Sequence, residues 1–229
     1  LIELANQGDA KAQNLIGLMY LRGHFVKQDF NLAHEWILKA VDQGSGWAEY
    51  TLAELYLYGD FGYQDINSAY ELLISAAEHG FILSYNYLGA IHHESNLGYH
   101  DIDKAIAYYK KGDEYNLPIS QAELCKLYSQ GSLINQDIAK GISFCKKSVE
   151  QNNSEAQFQL GQIYSTDFFN IKEYEKGFYW TKLAADQDHP QANYYLGILY
   201  GHGQGTSINL TQSHKYLLKA AEFNIPETY

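Results

Sequence analysis

A period of 36 residues runs through the chain without a single insertion. Aligned in steps of 36, one column reads Ile16, Leu52, Leu88, Leu124, Leu160, Leu196, and the next reads Gly17, Ala53, Gly89, Cys125, Gly161, Gly197. Three residues further on stand Tyr20, Tyr56, His92, Tyr128, Tyr164 and Tyr200, and four before the first column stand Ala12, Ala48, Ser84, Ser120, Ala156 and Ala192. The second half of each unit holds Ala33, Ala69, Ala105, Gly141, Gly177, Ser213, then Trp36, Leu72, Tyr108, Phe144, Trp180, Tyr216, then Ala40, Ala76, Gly112, Ser148, Ala184, Ala220. Self-similarity at this period marks a stacked-repeat architecture.

Spacings of three and four inside each half place these residues on one helical face, so each unit is two helices. Helix A spans about Asp9–Arg22 in the first unit and helix B about Asp29–Gln43. Asp29, Asp65, Asp101, Asp137 and Asn209 stand where helix B should start, as N-caps. Gly44 and Gly80 stand where it should end, and Gly23, Gly59, Gly131 and Gly203 fall in the turn between the two helices. Small columns let helix backbones approach, and the Leu, Tyr and Trp/Tyr columns fill the space around that contact. A single helix pair cannot bury its apolar face, whereas stacked pairs share one core. The units run 9–44, 45–80, 81–116, 117–152, 153–188 and 189–224; residues 1–8 read as the end of a preceding repeat and 225–229 as the start of a further one, as in a processed or excised chain.

Composition narrows the function. The 229 residues carry 27 Asp and Glu against 16 Lys and Arg, a formal net charge of −11. Nucleic acid is a poor fit, because phosphate binding needs surplus positive charge. No run of 18 apolar residues occurs, so no helical membrane insertion is expected. The acidic excess is uneven: residues 1–100 hold 12 acids and 4 Lys or Arg, and residues 101–229 hold 15 acids and 12 Lys.

The first unit, AKAQNLIGLMYLRGHFVKQDFNLAHEWILKAVDQG, resembles the Sel-1-like repeat family, a relative of the tetratricopeptide repeats. The signature matched is A-Q-x-x-L-G-x-x-Y-x-x-G, with Ile16 at its L, then D-x-x-x-A-x-x-W and K-A-x-x-Q-G; QANYYLGILYGHGQG and HKYLLKAAE match in the last unit. The resemblance implies an all-α, right-handed superhelical α/α solenoid whose concave groove binds a partner protein or peptide, without catalysis and without a cofactor. Bacterial relatives are often exported, which favours the periplasm or secretion over the cytoplasm. Some are immunity proteins that block a cognate secreted toxin; a cell-wall or β-lactam hydrolase is a further reading, suggested for cysteine-rich relatives. Their repeat-to-repeat cysteine columns hold no Cys here, so that disulfide framework is expected to be absent. The unequal charge adds the expectation of a partner with a basic surface.

Chemistry-bearing residues are sparse. Cys125 lies in the small column and Cys145 beside the bulky column, where packing roles are expected; the spacing leaves a bond between them open. His92 stands in the Tyr column and is read as its structural replacement, and the adjacent His93 points about 100° away, so the two cannot chelate one metal. Repeat 3 (Ser95) and repeat 5 (Asp167, in the turn Asp167–Ile171) depart from the Gly column, so those turns should differ in shape. Lys104, Lys110, Lys111, Lys140, Lys146 and Lys147 recur on helix B, where a solvated face outweighs an anion-docking patch. In the tetratricopeptide relatives helix A lines the concave face. The helix A positions unused in packing lie five and two residues before the Leu column and two, five and six after it. From these the candidate partner-binding residues are Arg22, Trp47, Tyr50, Glu54, Tyr58, Asn86, His93, Glu94, Lys126, Phe158, Gln162, Tyr194 and His202. Trp47, Tyr50 and Tyr58 concentrate aromatic surface in repeat 2, of the kind interfaces use as anchors.

Overall fold

The computed structural model describes residues 1–59, 62, 64–166 and 173–223. The departure expected at Asp167–Ile171 and the segment 225–229 lie outside the described residues. All regular structure among those described is helical. The chain forms two compact units, Leu1–Tyr115 and Asn116–Tyr229. The first holds α1 (Ile2–Asn6), α2 (Ala10–Arg22), α3 (Phe30–Val41), α4 (Gly46–Tyr58), α5 (Ile66–Glu78), α6 (Ser84–His93) and α7 (Ile102–Glu114). The second holds α8 (Pro118–Gln130), α9 (Ile138–Val149), α10 (Ser154–Ser165), α11 (Tyr174–Asp186), α12 (Pro190–His202) and α13 (Leu210–Ala221). Consecutive helices pack as A–B pairs, and the A helices of successive repeats also touch, α2 on α4 and α8 on α10.

The B-helix N-caps and the A-helix terminal glycines fall at the expected residues, whereas α3 and α5 are C-capped by Asp42 and His79, ahead of Gly44 and Gly80. Side-chain oxygens of Asp29, Asp65, Asp101, Asp137 and Asn209 accept from backbone N–H groups in the first turns of α3, α5, α7, α9 and α13. Each satisfies one of the donors a helix start leaves unpaired. Gly23, Gly59, Gly131 and Gly203 end their A helices in the left-handed region, at φ between +66° and +73°. Repeat 3 differs, as its Ser95 predicts: α6 stops at His93, and a short 3-10 turn, Ser95–Leu97, carries the chain to Gly98 at φ +82°.

The small columns are the contact line within each pair. Ala33, Ala69, Ala105, Ala40 and Ala76 are fully buried. A Cβ at Gly17 would lie 2.5 Å from Ile37 Cγ1, and one at Gly197 2.7 Å from Leu217 Cγ. In repeat 4 the two residues meeting at this place are Cys125 and Cys145, both fully buried and joined in a disulfide. Packing and the bond coincide there, which settles the alternative left open by spacing. His92 takes the Tyr place as expected. It is buried, it stacks on Tyr108 at 5.6 Å and 14°, and it hydrogen-bonds the Tyr99 carbonyl through Nδ1 at 2.8 Å. The Tyr128–Phe144 and Tyr200–Tyr216 pairs stack alike at the same columns.

Much of the lysine cluster covers aromatic surface. Lys140 lies 4.1 Å from the Tyr128 ring centre, Lys147 5.3 Å from Phe144 and Lys111 5.4 Å from Tyr85, while Lys104 pairs with Asp101. Long stems over rings with wet ammonium heads are ordinary surface packing. Among the described residues no helix is long and apolar enough to cross a membrane, and no three His, Cys, Asp or Glu side chains group to hold a metal ion.

Candidate interaction cavities on the A helices

Each unit has a cavity where two successive A helices meet. In the first unit it measures about 450 Å³ and is lined by Leu18, Leu21 and Arg22 of α2, Gln28, Phe30, and Thr51, Glu54, Leu55 and Tyr58 of α4. In the second it measures about 350 Å³ and is lined by Ser129 and Gln130 of α8, Gln159, Gln162 and Ile163 of α10, Thr166, and Tyr195 of α12. The two sets share six repeat columns. Leu21 and Arg22 correspond to Ser129 and Gln130, and Thr51, Glu54, Leu55 and Tyr58 to Gln159, Gln162, Ile163 and Thr166.

Glu54 is anchored in the first cavity by two phenols. Its Oε1 accepts from the Tyr87 hydroxyl at 2.7 Å and from the Tyr50 hydroxyl at 3.1 Å, and the Tyr58 and Tyr87 hydroxyls lie 3.3 Å apart. Burial, with this carboxylate beside them, holds the Tyr50 and Tyr87 phenols well above the ordinary range, so both remain donors. Tyr50 also packs on Phe81 and Tyr87, at 4.7 and 5.5 Å between ring centres. Its ring therefore seals repeat 2 against repeat 3, and only its hydroxyl serves the cavity.

Beside the second cavity, Glu155 accepts from Gln159 Nε2 at 2.7 Å and meets His189 Nε2 at 3.0 Å. His189 Nδ1 accepts from the Ala192 N–H as the N-cap of α12, so the ring proton sits on Nε2 and is donated to Glu155. Burial pushes the Glu155 carboxyl up, but these hydrogen bonds and the nearby Lys126 outweigh it, and the group stays below its usual value.

Of the residues named from the sequence, Arg22, Glu54 and Tyr58 come together in the first cavity and Gln162 lines the second. Trp47 and Lys126 are half-buried outside either lining. Asn86 and His93 are half-buried on α6, the latter with its ring edge to Tyr109, and Glu94 is the exposed residue that ends that helix. Tyr194 and His202 are exposed on α12. Phe158 requires correction: it is buried, packs with Ala184, Ala192 and Leu196, and lies against the His189 ring at 4.9 Å. Its column, two before the Leu column, points into the next repeat, since Asn14 and Ala122 there are buried too. The column one residue before Leu, which supplies Thr51 and Gln159, was missed; its polar residues one step from a core column were the available signal.

The Sel1 repeat family model matches residues 10–45, 48–81, 82–112, 118–153, 154–189 and 190–222. The chain belongs to the Sel1 repeat family. No curated protein matches this Sel1 repeat chain. Among solved structures it is similar to a protective antigen present in uropathogenic Escherichia coli strains that displays the same fold, with 29% identity over 96% of this chain and a TM-score of 0.85. The chain spans 47% of that protein's length. A Sel1 repeat protein from Oxalobacter formigenes is 24% identical over 94% of this chain and 89% of its own, with a TM-score of 0.84. An immunity protein from Pseudomonas aeruginosa is 18% identical over 94% of this chain and 82% of its own, at a TM-score of 0.60. The last two show the fold alone.

Proposed function

We propose that this Sel1 repeat chain is a non-enzymatic interaction scaffold that receives a partner polypeptide along a concave surface made by its A helices. One observation carries the reading. Both units open a cavity at shared repeat columns, lined by partly exposed A-helix residues such as Glu54 and Gln162 together with the buried Leu55 and Ile163. Arg22, Tyr58 and the half-exposed Phe30 are residue types that anchor interfaces. The acidic excess favours a partner with a basic surface. The Cys125–Cys145 bond supports an oxidising compartment, in keeping with the periplasm or secretion.

A second reading, immunity protein against a secreted toxin, draws on the fold shared with the Pseudomonas aeruginosa immunity protein and on the same acidity. Affinity capture from the native source tests both, using the wild-type chain and a Tyr58→Ala/Gln162→Ala variant. Both residues line cavities rather than core, so melting temperature should stay within a few degrees. The expected result is one stoichiometric partner, lost with the variant; a toxin as that partner selects the second reading. Equal capture by the variant overturns the cavity assignment. Hydrolysis of a chromogenic β-lactam by pure protein overturns the non-enzymatic reading.

A further inference from the structure

The cavity of the first unit contains a base and an acid that do not meet. Arg22 is the chain's single arginine, and among the described residues its guanidinium has no hydrogen-bond or ion-pair partner. Glu54 lines the same space, and its Oε1 is held by the Tyr50 and Tyr87 hydroxyls rather than by Arg22. The fold does not require either charge. At the corresponding columns of the second unit stand Gln130 and Gln162, and they line a cavity of similar size. Neither charge is therefore needed to build the cavity, and the exposed guanidinium, without a partner among the described residues, shares one lining with the anchored carboxylate.

That chemistry selects a ligand with both charges. A lone anion would pair with Arg22 but meet the field of Glu54, in a region whose residues 1–100 hold 12 acids and 4 bases. A lone cation would pair with Glu54 and meet Arg22. A zwitterion satisfies both: its carboxylate matches the planar fork of the guanidinium, and its ammonium matches the free lone pairs of Glu54. Leu18, Leu21 and Leu55 supply an apolar wall, and Phe30 and Tyr58 add ring surface. A volume of about 450 Å³ lies in the range of small-molecule sites.

We propose that the cavity formed by Arg22, Glu54 and the three leucines of α2 and α4 is a binding site for a zwitterion of amino-acid or dipeptide size with an apolar side chain. This goes beyond the scaffold reading and does not depend on it, since no protein partner enters the test.

Titration calorimetry with leucine and with leucyl-leucine reads the site, and N-acetylleucine and leucinamide each remove one charge. The expected result is saturable binding of at least one zwitterion, with both blocked forms weaker by about tenfold or more. Arg22→Gln and Glu54→Gln install the residues of the second cavity, and the amide introduced by Glu54→Gln still offers an oxygen to the two phenols. Each variant should melt like the wild type and lose zwitterion binding. The proposal is overturned if N-acetylleucine or leucinamide binds as tightly as leucine or leucyl-leucine. Folded glutamine variants that still bind, or no saturable heat up to about 10 mM of either zwitterion, would overturn it equally.

Discussion

At the scale of single residues, the closest approach of each helix pair decides what is allowed. Gly17 faces Ile37, Ala53 takes the same place above Leu73, and Gly197 faces Leu217, always at a separation of 20. Cys125 and Cys145 stand at that same separation, so a bond forms where backbones already touch and no helix must move to make it. A link closing a loop of this length restrains the unfolded chain by about 3 kcal/mol. Reduction should therefore lower the melting temperature markedly while far-ultraviolet dichroism at 25 °C keeps its helical form. A Cys125→Ala/Cys145→Leu variant, which copies the Ala53 and Leu73 pair of repeat 2, should match the reduced protein or exceed it and should ignore reductant. If reductant leaves the wild-type melting temperature unchanged, the two thiols are not bonded in solution.

At the scale of elements, the helix pairs of repeats 1 to 5 are also fastened by side chains 30 residues apart. Amides meet in three repeats, Gln13 with Gln43 at 2.7 Å, Gln121 with Gln151 at 3.1 Å and Gln157 with Gln187 at 2.7 Å. Repeat 3 stacks Tyr85 on Tyr115 at 5.8 Å. Repeat 2 alone places an ionisable pair there: buried Glu49 accepts from Ser75 Oγ at 2.7 Å and meets His79 Nδ1 at 2.8 Å. The hydrogen bond to Glu49 and its charge, with Glu78 adding to them, raise the His79 midpoint above the ordinary histidine value. A raised midpoint means stabilisation that is complete below the unfolded value of about 6.5 and is lost as pH climbs through the folded one. Thermal melts should show the wild type less stable at pH 9 than at pH 6. A Glu49→Gln/His79→Gln variant, rebuilding the amide pair of the other repeats, should remove most of that difference. An unaltered pH response in the variant would assign it to other groups. These fastenings were not legible in the sequence, because their columns mix Gln, Glu and Tyr and show no apolar period. Helices, caps and the repeat-3 turn were legible because each follows from a spacing, from a cap residue such as Asp65, or from a missing glycine, as at Ser95. The cavity was half legible: Arg22, Glu54, Tyr58 and Gln162 lie on unused columns, whereas the Phe158 column looks equally unused until the next repeat is stacked on it.

At the scale of the whole molecule, charge separates the two units more sharply than composition does. Residues 1–115 carry 16 acids against 7 bases, net −9, and residues 116–229 carry 11 against 9, net −2. The cavities follow the same division, one with Arg22 and Glu54 and one with uncharged amides and hydroxyls. A field of this kind acts first on encounter. It raises the association rate of a basic partner and leaves dissociation to the contacts made afterwards. For a partner isolated by capture, stopped-flow association should slow several-fold as ionic strength rises from about 50 to 500 mM, because that range shortens the screening length from beyond 10 Å to a few ångströms. Dissociation should change far less. If association is indifferent to salt, the partner does not read the acidity of the first unit; the neutral cavity lined by Gln130, Gln159 and Gln162 is then the surface to substitute next, and a single Gln162→Ala should speed dissociation.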